Sequence, residues 1–148
     1  MQDDAKQSAR ATGLVEALTV DSLGFVPLVA AIEFVSVLSS AYGLDRSRLV
    51  AAPEGLLRTK ELVVERAETV WKAVRAYQSS SADFADCLIE RSAASAGCAR
   101  TVTFDLGAAE QCGMTLIARH QGRLEAAGRK ASRRSTGWLV REVLPQVP

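Results

Sequence analysis

The stretch "RTVTFDLGAAEQCGMTLI" (100–117) decides the fold class. Its first part, "RTVTF" (100–104), is a compact run rich in β-branched residues and predicts a strand. A short helix is expected over 107–112, and "MTLI" (114–117) reads as a second strand. Asp105 falls at the end of the first strand. Strand, helix and strand in close succession imply parallel pairing.

The same alternation extends backwards through the chain. "DDAKQSARATGLVEAL" (3–18) places apolar residues at helical spacing, with Asp3 or Asp4 as its cap. "LGFV" (23–26) fits a buried strand, and Pro27 suits the first position of a helix that runs to about Tyr42 and stops at Gly43. Asp45 is placed to cap the next helix, which Pro53 breaks or restarts and which ends near Arg58. "ELVVE" (61–65) predicts a strand, and in "AETVWKAVRAYQ" (67–78) Val70, Val74 and Tyr77 share one helical face. "SSS" (79–81) is a loop and cap before a helix over 83–96. Short apolar strands alternating with helices predict an α/β fold with a mostly parallel sheet covered on both faces.

After Ile117 the apolar pattern decays. From Arg119 onward seven Lys/Arg face two Glu, a net charge of +5 on a body that carries −4. The chain therefore divides into a domain at 1–117 and a basic extension at 118–148, expected to be flexible, in which "WLVREVLP" (138–145) could form a short helix. With 48% apolar residues in 148, one domain can bury a real core.

Some chemistries are excluded. The three cysteines, Cys87, Cys98 and Cys112, have no C-x-x-C spacing, and the only histidine is His120, so no zinc cluster is encoded. The thiols read as reduced, which points to the cytoplasm. No Gly-rich phosphate loop or G-x-S-x-G elbow is present. The apolar run "FVPLVAAIEFVSVL" contains Pro27 and Glu33 and is too short to span a membrane.

Carboxylates remain. "SADFADCLIE" (81–90) carries Asp83 and Asp86 on related faces of a helix start, counted as its second and fifth positions. Asp83 has a plain reading as a first-turn acid favoured by the helix dipole, with Ser80 or Ser81 as the cap. Asp86 sits among Phe84, Cys87, Leu88 and Ile89, where capping explains less. Glu33, with Val29, Ala30, Ser36 and Val37 around it, is expected to be partly buried, and so to need either an Arg partner or a metal. Asp105 either caps the helix that follows it or stands where ligands bind, beyond the carboxyl ends of parallel strands. If these acids converge, their oxygens suit Mg²⁺ or Mn²⁺. Such an ion would lower the pKa of a bound water and neutralise charge in phosphodiester attack.

Three segments in order, "FVPLVAAIEFVSVLSSAYGLDRSRL" (25–49), "DFADCLIE" (83–90) and "AGCARTVTFD" (96–105) with "GMTLI" (113–117), resemble PIN-domain proteins, in particular the VapC toxins of bacterial toxin–antitoxin pairs. The resemblance spans residues 2–117. It implies a three-layer α/β/α fold with a central, mostly parallel sheet, lacking here the family's first strand and its D-x-N acid. It further implies a Mg²⁺-dependent ribonuclease that cleaves RNA, dimerises and is neutralised by a cognate antitoxin. The family's acids carry over to Glu33, Asp86 and Asp105, with Asp83 as an additional metal ligand and Thr103 as an auxiliary hydroxyl. In the extension, Arg129, Lys130, Arg133 and Arg134 could release counterions from RNA phosphates. The alternative is a truncated remnant that binds antitoxin or a second copy without catalysis.

Overall fold

The computed structural model describes residues 2–117 and the pair 138–139. The elements in chain order are α1 (Gln2–Glu16), β1 (Gly24–Val26), α2 (Leu28–Ser40), α3 (Arg46–Arg58), β2 (Leu62–Val64), α4 (Ala67–Ser79) and α5 (Phe84–Ser95). These are followed by β3 (Val102–Thr103), α6 (Leu106–Cys112), β4 (Thr115–Leu116) and β5 (Trp138–Leu139). The protein is a mixed α/β fold, mostly helical, with small sheets.

The core is built on α4 and α5. Val70, Ala73, Val74 and Tyr77 recur at helical spacing on α4, and each is buried. They meet Phe84, Cys87 and Leu88 of α5, and Val35, Leu49, Val50, Val64 and Ala82 complete the cluster. The Tyr77 and Phe84 rings meet edge to face, with centroids 5.8 Å apart.

Arg46, at the start of α3, ties this hairpin together. Its guanidinium lies 3.9 Å from the Tyr77 ring centroid. It donates to the Tyr77 carbonyl at the end of α4. A second donation reaches the Ala82 carbonyl, 3.1 Å away, in the turn that leads into α5. One cation thus satisfies two carbonyls that would otherwise face a half-buried junction without a partner.

Local chemistry explains the helix boundaries. Asp45 caps α3, its Oδ1 accepting from the Arg48 N–H at 3.0 Å. Pro27 cannot cap α2, and the Leu28 N–H instead donates to Glu65 Oε2 at 2.7 Å, from just past β2. Arg66 takes a left-handed turn (φ 49°) between β2 and α4.

Several expectations are corrected. Pro53 neither breaks nor restarts a helix: α3 is continuous through it, and the ring is buried in the core. Its missing N–H costs one hydrogen bond, which burial of the ring offsets in part. The turn at 79–83 is also arranged differently. Ser79 ends α4, and Asp83 occupies the N-cap of α5 without a side-chain cap bond, so Asp86 is the third helical residue.

The strands do not form one sheet covered on both faces. β1 and β2 pair in parallel, with Gly24 opposite Leu62 and Val26 opposite Val64. β3 pairs in parallel with β4 and antiparallel with β5, giving a separate sheet in the order β4-β3-β5. The ladder bonds Gly24 N–H to Glu61 O and Glu65 N–H to Val26 O aim those residues at β2. The peptide groups of Phe25 therefore face the other edge of β1.

Phe25 is 64% exposed and its ladder partner Val63 45% exposed, so one face of this pair is uncovered. α1 forms as expected, yet its residues 6–16 are all exposed. Trp138 and Leu139 are a strand rather than part of a helix. The rest of the 118–148 extension lies outside the described residues, as do Arg129, Lys130, Arg133 and Arg134.

Leu88→Ala, which empties a fully buried site at the α4–α5 contact, is expected to cost about 3 kcal/mol in urea denaturation. Val29→Ala, at a 71% exposed position, is expected to stay within about 0.5 kcal/mol of the parent.

Candidate functional site

Three of the four acids singled out in the sequence meet in one place. Asp83, Asp86 and Asp105 line an open cleft of about 310 Å³ between the start of α5 and the start of α6, together with Glu110 and Gln111. Each acid is delivered by a helix N-terminus. Asp83 is the N-cap of α5 and Asp86 lies in its first turn, while Asp105 is the N-cap of α6.

Asp105 carries both of the roles read from the sequence. Its Oδ1 accepts from the Ala108 N–H at 3.0 Å, an N-cap bond. The same residue lines the cleft. Gly107 keeps this corner tight: a Cβ there would come within 3.1 Å of Asp105 Oδ1.

Thr103 does not open onto the cleft. It is buried, and its Oγ1 accepts the Asp105 backbone N–H at 3.0 Å. The hydroxyl thus fixes the turn from β3 into α6 on which the Asp105 carboxylate depends.

Asp86 is the acid whose environment is most altered. Half-burial, followed by the negative charges of Asp83 and Asp105, pushes its carboxyl up to about 6. The Asp83 backbone N–H, facing back along the first turn, opposes this in part. Asp83 itself is exposed, so its carboxylate is held by neither a cap bond nor burial.

Glu33 is placed elsewhere. It is exposed on α2 and does not line the cleft, which corrects the expectation of partial burial. The buried positions of α2 are Ala31 and Val35, which turns Glu33 toward solvent. An apolar neighbourhood along the chain misled here, because α2 is apolar nearly all round and only packing decides which side is inside.

Among the described residues, no three His, Cys, Asp or Glu side chains are close enough to enclose a metal ion. The cleft acids are donors of the hard oxygen type. That suits Mg²⁺, which keeps several waters and uses one or two carboxylates. It does not suit a tightly caged ion.

Two features were not read from the sequence. Arg46 fixes the turn that carries Asp83. Cys87 and Cys112, 25 positions apart, bring their sulfurs to 3.7 Å. Their S–H···S contact holds the Cys87 thiol below the usual range and, with burial, pushes the Cys112 thiol above it. No local pattern signals either, since both depend on segments distant in the chain.

No protein-family model matches the chain, and no curated protein or solved structure matches it either. Among the described residues, no helix is long and apolar enough to cross a membrane.

The raised Asp86 pKa has a definite sign. The unfolded chain gives up this proton near pH 4 and the folded one near 6, so the stability the group contributes is full below about pH 4 and lost as pH rises through 6. Asp86→Asn in metal-free buffer is therefore expected to raise Tm at pH 7 by about 3 °C, after screening in the open cleft is allowed for. The gain should vanish at pH 4. An equal gain at both pH values would mean that the charge is not strained.

Proposed function

We propose that this protein is a Mg²⁺-dependent endoribonuclease of the PIN-domain, VapC-like kind, in which Asp86, Asp105 and Asp83 form the working cleft. The observation that carries the reading is the convergence of three acids on one cleft, with Asp86 held near 6 by burial and by its neighbours' charges. A half-buried carboxylate that titrates close to neutrality is a group poised to take a proton from water or to meet a cation. Bound Mg²⁺ would supply a water of lowered pKa and neutralise charge on phosphorus.

The chain's own residues have separable tasks. Asp86 and Asp105 would hold the ion and orient its water. Asp83, exposed at the cleft mouth, adds negative charge that favours the ion. Thr103 keeps the Asp105 turn in place. Glu33, exposed on α2, does not line this cleft. The reading also takes a cytoplasmic location, a cognate antitoxin and a second copy of the chain as the expected setting.

A second reading is favoured by a different observation. Phe25 and Val63 present an uncovered apolar pair on the β1–β2 sheet. That face suits a non-catalytic module that docks an antitoxin or another copy.

RNA cleavage with Mg²⁺ and with EDTA separates the two. The nuclease reading expects cleavage only with Mg²⁺, reduced about a hundredfold or more by Asp86→Asn. Asp105→Asn should reduce it similarly while keeping stability, because Asn caps a helix as well as Asp does. Asp105→Ala should lose about 1 kcal/mol as well. Cleavage that survives both Asn substitutions would remove the cleft from the chemistry, and no cleavage under any condition would leave the docking module.

A further inference from the structure

We infer that Cys87 and Cys112 form a thiol–disulfide exchange site that takes an anionic low-molecular-weight disulfide and closes as an intramolecular Cys87–Cys112 bond. Three observations carry this, none of which depends on RNA cleavage.

The first is position. The sulfurs lie 3.7 Å apart, on different helices. A disulfide needs about 2.0 Å, so modest side-chain rotation with a small shift of α6 would complete the bond. α6 has seven residues and ends at Gly113 in a left-handed turn (φ 73°), which leaves its last residue, Cys112, more freedom to shift than Cys87 in the packed α5.

The second is access. Cys87 and Cys112 line a cleft of about 470 Å³, separate in its lining from the acidic cleft except at Gln111. Cys87 is 1% exposed, whereas Cys112 is partly exposed. An incoming reagent meets Cys112 first and leaves Cys87 behind it as the resolving thiol.

The third is charge. Arg75 and Arg91 line the same cleft as the thiols. Glu90 lies 2.7 Å from Arg91 and offsets it, while Arg75 makes no ion pair among the described residues. The cleft is thus net positive at its rim and attracts an anionic disulfide over a neutral one.

The exchange balances. Cys112 passes its proton across the S–H···S contact to Cys87 as its sulfur attacks one sulfur of the small disulfide and expels a first small thiolate, which then takes that proton from Cys87. The Cys87 thiolate then attacks the Cys112 sulfur of the mixed disulfide and expels the second. Two electrons pass from the protein to the small disulfide, and the two protein thiol protons leave on the two small thiols. The new bond lies one residue past Asp86 and ties α5 to α6, so it fixes the spacing between the helices that carry Asp86 and Asp105.

The test uses the full, reduced chain with oxidised glutathione as the probe, followed by intact and peptide mass spectrometry. The expected product has lost two hydrogens and yields a linked Cys87–Cys112 peptide pair. The Cys98→Ser chain should behave the same way, and Cys87→Ser should accumulate the glutathione adduct at Cys112. Arg75→Ala should slow the reaction with oxidised glutathione about fivefold and leave the rate with neutral hydroxyethyl disulfide unchanged. Modification confined to Cys98, no linked pair in the Cys98→Ser chain, or equal slowing by Arg75→Ala with both reagents would overturn the proposal.

Discussion

The structure rests on the apolar contact between α4 and α5, held in register by Arg46. Val70, Ala73, Val74 and Tyr77 form a stripe that no solvent-facing arrangement tolerates, and Phe84, Cys87 and Leu88 supply the surface that covers it. Two helices joined by a short turn could still slide or rotate. The Arg46 guanidinium prevents this by engaging the Tyr77 ring, the Tyr77 carbonyl and the Ala82 carbonyl together. Removing it would strand two carbonyls at a half-buried junction, a larger loss than that of a surface charge.

That hairpin is what gives the acidic cleft its character. Asp83 and Asp86 stand where they do because the turn held by Arg46 ends at Ala82. Their partner Asp105 arrives from another direction, on a turn whose backbone N–H is taken by the buried Thr103 hydroxyl. Half-burial, together with like charges drawn together in this way, raises Asp86 to about 6. The fold therefore stores unfavourable electrostatics at one spot and balances them with the packing of the hairpin beneath. A cation, a proton or a bound partner can each relieve that strain. The thiol pair lies on the same two helices, so any change in the α5–α6 spacing reaches the acids and the sulfurs alike.

The remainder of the molecule is much less enclosed. Residues 6–16 of α1 are all exposed, Phe25 and Val63 are open on the β1–β2 sheet, and among the described residues no strand pairs with the outer edge of β1. Exposed apolar groups of this size on a short sheet are the usual mark of a surface that meets other polypeptide.

Much of this was written in local pattern. The six helices among the described residues, the short strands at 24–26, 62–64, 102–103 and 115–116, the Asp45 cap and the buried face of α4 follow from spacing and cap chemistry, which act within a few residues. So does the presence of acids at the starts of α5 and α6. Tertiary structure decided the rest, because those outcomes depend on groups far apart in the chain. It turned Glu33 to solvent, since an all-round apolar helix does not specify its inner face. It kept α3 continuous through Pro53, with the ring buried. It divided the strands between two sheets, as pairing partners are not encoded in a strand's own residues. It also brought Cys87 to Cys112, and Asp105 to Asp86, because only packing sets a distance between segments that the chain itself leaves free.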